Sequence, residues 1–177
     1  MLSDPPAWTA DACALVRQAI DCQTPLLGVC FGHQLLAYAV GGRVGRNPRG
    51  WAVGCSACEV HAGDDPLLSI LPRRFTTLLS HREVVLTASE HIEVLGSAIH
   101  DPHHVIRVGD WAWGVQFHPE FTTTIITAIL RERAQILDEV MGLGYAKHQE
   151  RNLQPARPAT LLLNQFVQLC RQKTTTV

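Results

Sequence analysis

The sequence predicts an α/β fold, a mostly parallel sheet with flanking helices, and three observations predict it. A helical repeat of apolar residues leads into a short, almost wholly apolar run at residues 25–29, the composition of a strand buried on both faces of a parallel sheet. A second helical repeat follows after a single sharp, glycine-flanked turn. Several short extended segments then occupy residues 52–117 before helical spacing returns.

The first helix is carried by Trp8, Ala12, Leu15, Val16 and Ala19, and it stops before Gln23-Thr24-Pro25, where proline constrains the residue ahead of it. The second runs from Gly32 to Val40 and ends at Gly41-Gly42, a C-terminal stop. Extended segments are expected at 52–60, 75–79, 92–98, 105–108 and 112–117, with Gly109-Asp110 as the hairpin turn between the last two. A helix over about 124–141 follows, carrying Ile125, Ile126, Ile129, Leu130, Ile136 and Leu137, until Gly142 and Gly144 break it. The polar stretch 145–158 reads as a loop to a last helix over about 159–170. With 177 residues, 46% of them hydrophobic, the chain can bury one sizeable core and is too short to promise two, so a single domain over 1–177 is expected.

Fifteen Lys and Arg stand against sixteen Asp and Glu, a balance that advertises neither nucleic acid nor an anionic membrane as partner. No apolar run approaches the roughly 20 residues of a membrane span, and no basic-then-apolar leader opens the sequence, so a cytoplasmic protein is expected. Six irregularly spaced cysteines suit free thiols in a reducing compartment. Cys55 and Cys58 form a lone C-x-x-C whose odd offset puts them on opposite faces of a strand, a structural role. His100, His103 and His104 cluster around Asp101-Pro102 in what reads as a turn before a strand, without the ligand spacing of a metal site, and no metal is expected. Trp111 and Trp113 are read as packing or rim residues.

Gly28-Val29-Cys30-Phe31-Gly32 places a thiol between small residues at a strand-to-helix junction. A nucleophile on so tight a turn sits on strained backbone, and the expectation is that its neighbours two residues either side come too close to tolerate a Cβ. The helix starting beside the sulfur favours thiolate, and the Phe31 N–H is placed as one half of an oxyanion hole. A second constellation, Trp113-Gly114-Val115-Gln116-Phe117-His118-Pro119-Glu120, ends a strand in a histidine and a carboxylate two residues on. Residues two apart in extended backbone share a face, so Glu120 can hold one tautomer of His118 while the other ring nitrogen addresses a thiol.

Together Gly28-Val29-Cys30-Phe31-Gly32-His33-Gln34 and Gln116-Phe117-His118-Pro119-Glu120 resemble the two signature segments of class I glutamine amidotransferases, including the glutaminase domain of GMP synthetase. The resemblance covers about 8–121 and weakens through the C-terminal helices. It implies that Cys30 attacks the side-chain amide of glutamine, that His118 relays the proton to departing ammonia, and that Glu120 orients His118. It further assigns Gln34 to contact with bound glutamine, and Ser80-His81-Arg82-Glu83 to the segment whose backbone grips the amino-acid end, giving Ser80, Arg82 and Glu83 as substrate contacts. No cofactor is implied. The substrate would be glutamine or another γ-glutamyl amide; the partner, a separate synthase subunit or a second copy of the chain. A γ-glutamyl peptidase-type thiol hydrolase and a catalytically silent regulatory or binding module are the alternatives.

Members of the resembled family normally open with a strand, a helix, a second strand and a glycine-rich loop that supplies the other oxyanion N–H. No glycine occurs over 1–27, so the expectation is that the N-terminal strands, about fifty residues, are missing and that the chain by itself hydrolyses glutamine poorly. A start placed at an internal methionine is favoured as the explanation over a real truncation that leaves a remnant.

Overall fold

The structure, a computed structural model, describes residues 2–61 and 63–175; Met1 and Val177, the ends of the expected domain, lie outside the described residues. The chain begins with α1 (Thr9–Asp21), β1 (Leu26–Val29) and α2 (Phe31–Ala39). Then come β2 (Arg43–Arg46), β3 (Ala52–Val60), β4 (Arg74–His81), β5 (Glu83–Thr87), β6 (Glu93–Ala98), β7 (Asp101–Val108) and β8 (Ala112–Val115). Four helices close it: α3 (Thr123–Glu132), α4 (Ala134–Met141), α5 (Tyr145–Arg151) and α6 (Arg157–Thr175).

Six strands form one sheet in the order β1-β8-β7-β6-β3-β4, and β2 pairs with β5 in a small second sheet. The expected α/β class stands. Parallel pairing is found where the thiol turn sits, between β1 and β8, and the other four pairings of the large sheet are antiparallel. For β6–β7 and β7–β8 the reason is connectivity, since they are joined by turns too short for the crossover that parallel neighbours need. Gly109, at φ +58 in the second of these turns, adopts the left-handed backbone that the predicted hairpin requires.

Every residue of β8 is buried, as a strand covered on both faces must be. Val105, Trp113 and Val115 pack with Leu78, Phe117, Ile126, Leu137 and Leu162 in one layer, whereas their neighbours Ile106, Val108 and Ala112 pack with Val16, Leu36 and Val85 in the other. The period-two alternation of β7 and β8 therefore divides one strand pair between two cores. Each fully buried Leu or Ile contributes about 1.5–3 kcal/mol to this arrangement.

Four features differ from the sequence pattern. In α1 the buried face is Thr9, Cys13 and Val16, which leaves Trp8 and Leu15 exposed. The helix expected over 124–141 is two helices, because Arg133 at φ −101 and ψ 9 leaves the α region between α3 and α4. Part of the expected loop is α5: the Asp138 carboxylate of α4 accepts the Gly144 and Ala146 N–H groups at 3.0 Å each, capping a helix that the local sequence does not cap itself. Finally, the turn near the histidine cluster falls at residues 99–100, and Asp101, Pro102, His103 and His104 belong to β7. There His104 Nδ1 pairs with the buried Asp101 carboxylate at 3.3 Å, and His103 Nδ1 lies 2.7 Å from the Val85 carbonyl oxygen. Cys55 and Cys58 lie on β3 as free thiols, the first half-buried and near the Asn152 carbonyl, the second fully buried.

Candidate active site

Cys30 stands between β1 and α2 at φ 50 and ψ −98, a region that L residues occupy only under tertiary constraint. Two hydrogen bonds supply that constraint: the Cys30 N–H donates to the Val115 carbonyl at 2.8 Å, and its own carbonyl accepts the Gln34 N–H at 3.1 Å. The turn is tight enough that a Cβ on Gly28 would lie 2.5 Å from the Gly32 carbonyl carbon and oxygen and 2.8 Å from the His33 nitrogen, all backbone atoms. The second flanking glycine differs. A Cβ on Gly32 would meet nothing within 4 Å, so the expected crowding holds on one side of the thiol only.

Cys30 is half-buried, and burial together with the nearby Glu120 charge pushes its thiol up to about 11; the Phe31 N–H and the Gln116 amide pull the other way. At rest the group is therefore a thiol, contrary to the thiolate expected from the helix terminus alone. Gln116 Nε2 donates to Cys30 Sγ at 3.6 Å. The parallel register, Val29 opposite Val115, carries both chains past the same end of the sheet, which is what brings Gln116 to the sulfur. Phe31, whose N–H faces the sulfur, rests its half-exposed ring edge-on against Trp8 at 5.8 Å.

His118 and Glu120 meet as the spacing predicts, with Nδ1 2.7 Å from Oε1. The imidazole lies flat on Phe121, centroids 3.9 Å apart and planes at 4°, and the His118 N–H is anchored on the Leu78 carbonyl at 3.0 Å. Glu120 thus fixes the Nδ1 side and leaves Nε2 available. Among the described residues no hydrogen bond joins His118 to Cys30.

The remaining expected residues divide. Gln34 is buried beneath the thiol, its Nε2 donating to the Glu83 carbonyl at 2.7 Å and to Gln116 Oε1 at 3.1 Å, so its amide nitrogen is committed inside the protein. Ser80 is the last residue but one of β4, Arg82 occupies the bend, and Glu83 begins β5. The Glu83 carboxylate is buried and accepts the Leu2 N–H at 2.9 Å, the Ser3 N–H at 3.3 Å and the Ser3 hydroxyl, which leaves its side chain tied to the N-terminal segment. Cys30, Phe31, Gln34, Ser80, Arg82 and Glu83 line one open pocket of ≈ 220 Å³, joined there by Trp51 and Arg133. Gln116 and Phe121 received no role from the sequence; β8 ends at Val115, short of the strand expected over 112–117, and Gln116 lies just beyond it. Trp51 and Arg133 had no local signal.

The thiol stands at the end of β1, which is an edge strand only partly buried and not covered on both faces as expected, and the carboxylate-held histidine lies just beyond its parallel neighbour β8 at the same end of the sheet. The sequence profile of Glutamine amidotransferase class-I matches residues 3–135, and the chain belongs to that family. It is 35% identical over 130 residues to the GMP synthase [glutamine-hydrolyzing] of Thermosipho africanus, covering 70% of this chain and 24% of that protein. It is 29% identical over 157 residues to Gamma-glutamyl peptidase 5 of Arabidopsis thaliana, covering 85% of this chain and 61% of that protein. The chain thus spans about a quarter of the first relative and somewhat under two thirds of the second. The crystal structure of a glutamine amidotransferase from Thermotoga maritima shares the fold, with TM-score 0.67 and 19% identity over 89% of this chain and 67% of that one. Among the described residues no helix is long and apolar enough to cross a membrane.

Proposed function

We propose that this chain hydrolyses the side-chain amide of glutamine to glutamate and ammonia through Cys30, His118 and Glu120. The observation that carries the reading is the parallel β1–β8 pair, which delivers the Cys30 turn and the Gln116-to-Glu120 segment to one end of the sheet. Cys30 Sγ attacks the amide carbon as its proton passes to His118 Nε2, and the developing imidazolium is held by Glu120. The tetrahedral oxyanion is met by the Phe31 N–H. Its collapse breaks the C–N bond, and the proton on His118 leaves with ammonia. Water, giving a proton to His118, then attacks the thioester carbonyl, releasing glutamate and restoring the thiol. Because the resting thiol is protonated, its ionisation is coupled to attack, with His118 as the base at neutral pH. The backbone of Ser80, Arg82 and Glu83 grips the amino-acid end, and ammonia passes to a synthase borne by a partner subunit. A second reading, hydrolysis of other γ-glutamyl amides, is favoured by the span of the similarity to the γ-glutamyl peptidase.

Glu120→Gln gives a test with two signs. Removing the carboxylate takes away a charge that holds the Cys30 pKa up, so alkylation of the resting thiol by iodoacetamide at pH 8 should quicken. Turnover of glutamine should instead fall, on the order of 10-fold to 10⁴-fold, because His118 loses the partner of its imidazolium. Both rates moving the same way, or neither moving, would remove Glu120 from the triad.

A further inference from the structure

Two guanidinium groups stand over one indole beside the thiol. The Arg82 guanidinium carbon lies 3.9 Å from the centroid of a Trp51 ring and that of Arg133 lies 5.9 Å away, and all three residues line the Cys30 pocket. The cations come from distant parts of the chain, Arg82 at the bend between β4 and β5 and Arg133 at the break between α3 and α4. The Arg82 backbone is fixed from a third direction, its carbonyl accepting the Asn47 N–H at 2.8 Å. An indole face attracts and orients a guanidinium without neutralising it.

Neither cation has an acidic partner among the described residues. The two carboxylates of the site are already engaged, Glu83 by Leu2 and Ser3 and Glu120 by His118. Gln34, the side chain that resemblance assigns to the substrate, has its amide nitrogen bound to Glu83 and Gln116. The pocket therefore holds a nucleophile at one place and two uncompensated planar cations at another. Guanidinium groups match a carboxylate in shape as well as charge.

We infer that Arg82 and Arg133, oriented on Trp51, form the carboxylate-binding end of the thiol pocket and take the α-carboxylate of a γ-glutamyl amide while its amide meets Cys30. The inference rests on the hydrolase reading above and deepens it, because it assigns substrate selection to Trp51 and Arg133, both outside the signature segments. A side-chain amide lacking that carboxylate is a poor ligand by this arrangement, and one lacking the α-amine is not penalised by it.

Titration calorimetry at low salt, on the Cys30→Ala chain so that nothing is turned over, separates these cases with three ligands. They are L-glutamine, glutaramate, which lacks the α-amine, and 4-aminobutanamide, which lacks the α-carboxylate. Arg133→Gln should weaken L-glutamine and glutaramate about tenfold and leave 4-aminobutanamide unchanged, with Arg133→Lys recovering part of the loss. Equal weakening of all three, no weakening of any, or no binding of L-glutamine to the Cys30→Ala chain would overturn the inference. The hydrolase reading is judged separately, by turnover of glutamine with Cys30 present. A carboxylate-dependent loss without any turnover would leave the clamp standing and remove the hydrolase; turnover with an indifferent Arg133 would do the reverse.

Discussion

Cys30→Ala is expected to abolish whatever glutamine hydrolysis the protein shows, a fall on the order of 10⁴-fold or more where the parent is fully active, because Cys30 is the group proposed to form the acyl intermediate. The loss should be chemical and not structural. Alanine removes only the sulfur from a half-buried position whose backbone is held by Val115 and Gln34, so circular dichroism and the urea midpoint should stay close to the parent's. His118→Ala should be nearly as damaging, since the thiol is protonated at rest and needs a base at the moment of attack. The two losses should not add, because both residues serve one proton-coupled step. Kinetics of the double variant check this: multiplied losses would mean that Cys30 and His118 act independently.

The second large effect falls on the turn that aims the thiol. Gly28→Ala puts a Cβ 2.5 Å from the Gly32 carbonyl group, and backbone atoms cannot swing aside as a side chain can. Either β1 or the first turn of α2 must shift, at a cost of about 3 kcal/mol, and the sulfur moves with them. Displacement of a nucleophile by about 1 Å costs on the order of 10²-fold in rate. Gly32→Ala is the control on the same motif. Its Cβ enters open space, and alanine favours the helix by about 0.5–1 kcal/mol over glycine, so its urea midpoint should match or exceed the parent's. If the two substitutions destabilised the protein equally, the crowding at Gly28 would not be what shapes the elbow.

These contrasts also mark how far the sequence could be read. The thiol turn and the His118–Glu120 pair were legible because each is made by residues a few positions apart, where strand and helix periodicities fix who faces whom. The same holds for α2, β3 and the Gly109 hairpin. What escaped was set by contacts distant along the chain. The capping of α5 comes from Asp138 and cannot be inferred from residues 145–158 alone. The break at Arg133 interrupts an apolar pattern that reads as continuous, and it places on the pocket a cation that local spacing gives no reason to expect. The β2–β5 pair is two short segments, each unremarkable by itself, that exist as strands because they meet. Gln34 lies beside Cys30 as its place in the segment implies, but the bonds of its amide nitrogen to the Glu83 carbonyl and Gln116, both remote in sequence, were not legible. The resting ionisation of Cys30 was misjudged for a similar reason: the helix terminus is a local feature, whereas burial and the Glu120 charge arrive with the tertiary fold.

The most direct test of the central claim is to ask whether a substrate-shaped electrophile finds this thiol. The chain would be incubated at neutral pH with a glutamine analogue that carries a chloromethyl ketone in place of the side-chain amide, digested, and its six cysteine positions read by peptide mass spectrometry. The account predicts one adduct, on Cys30, blocked by excess L-glutamine and slowed by His118→Ala, while the exposed Cys22 stays unmodified. Labelling of Cys22 as readily as Cys30, or labelling of Cys30 that neither L-glutamine nor the loss of His118 affects, would contradict it.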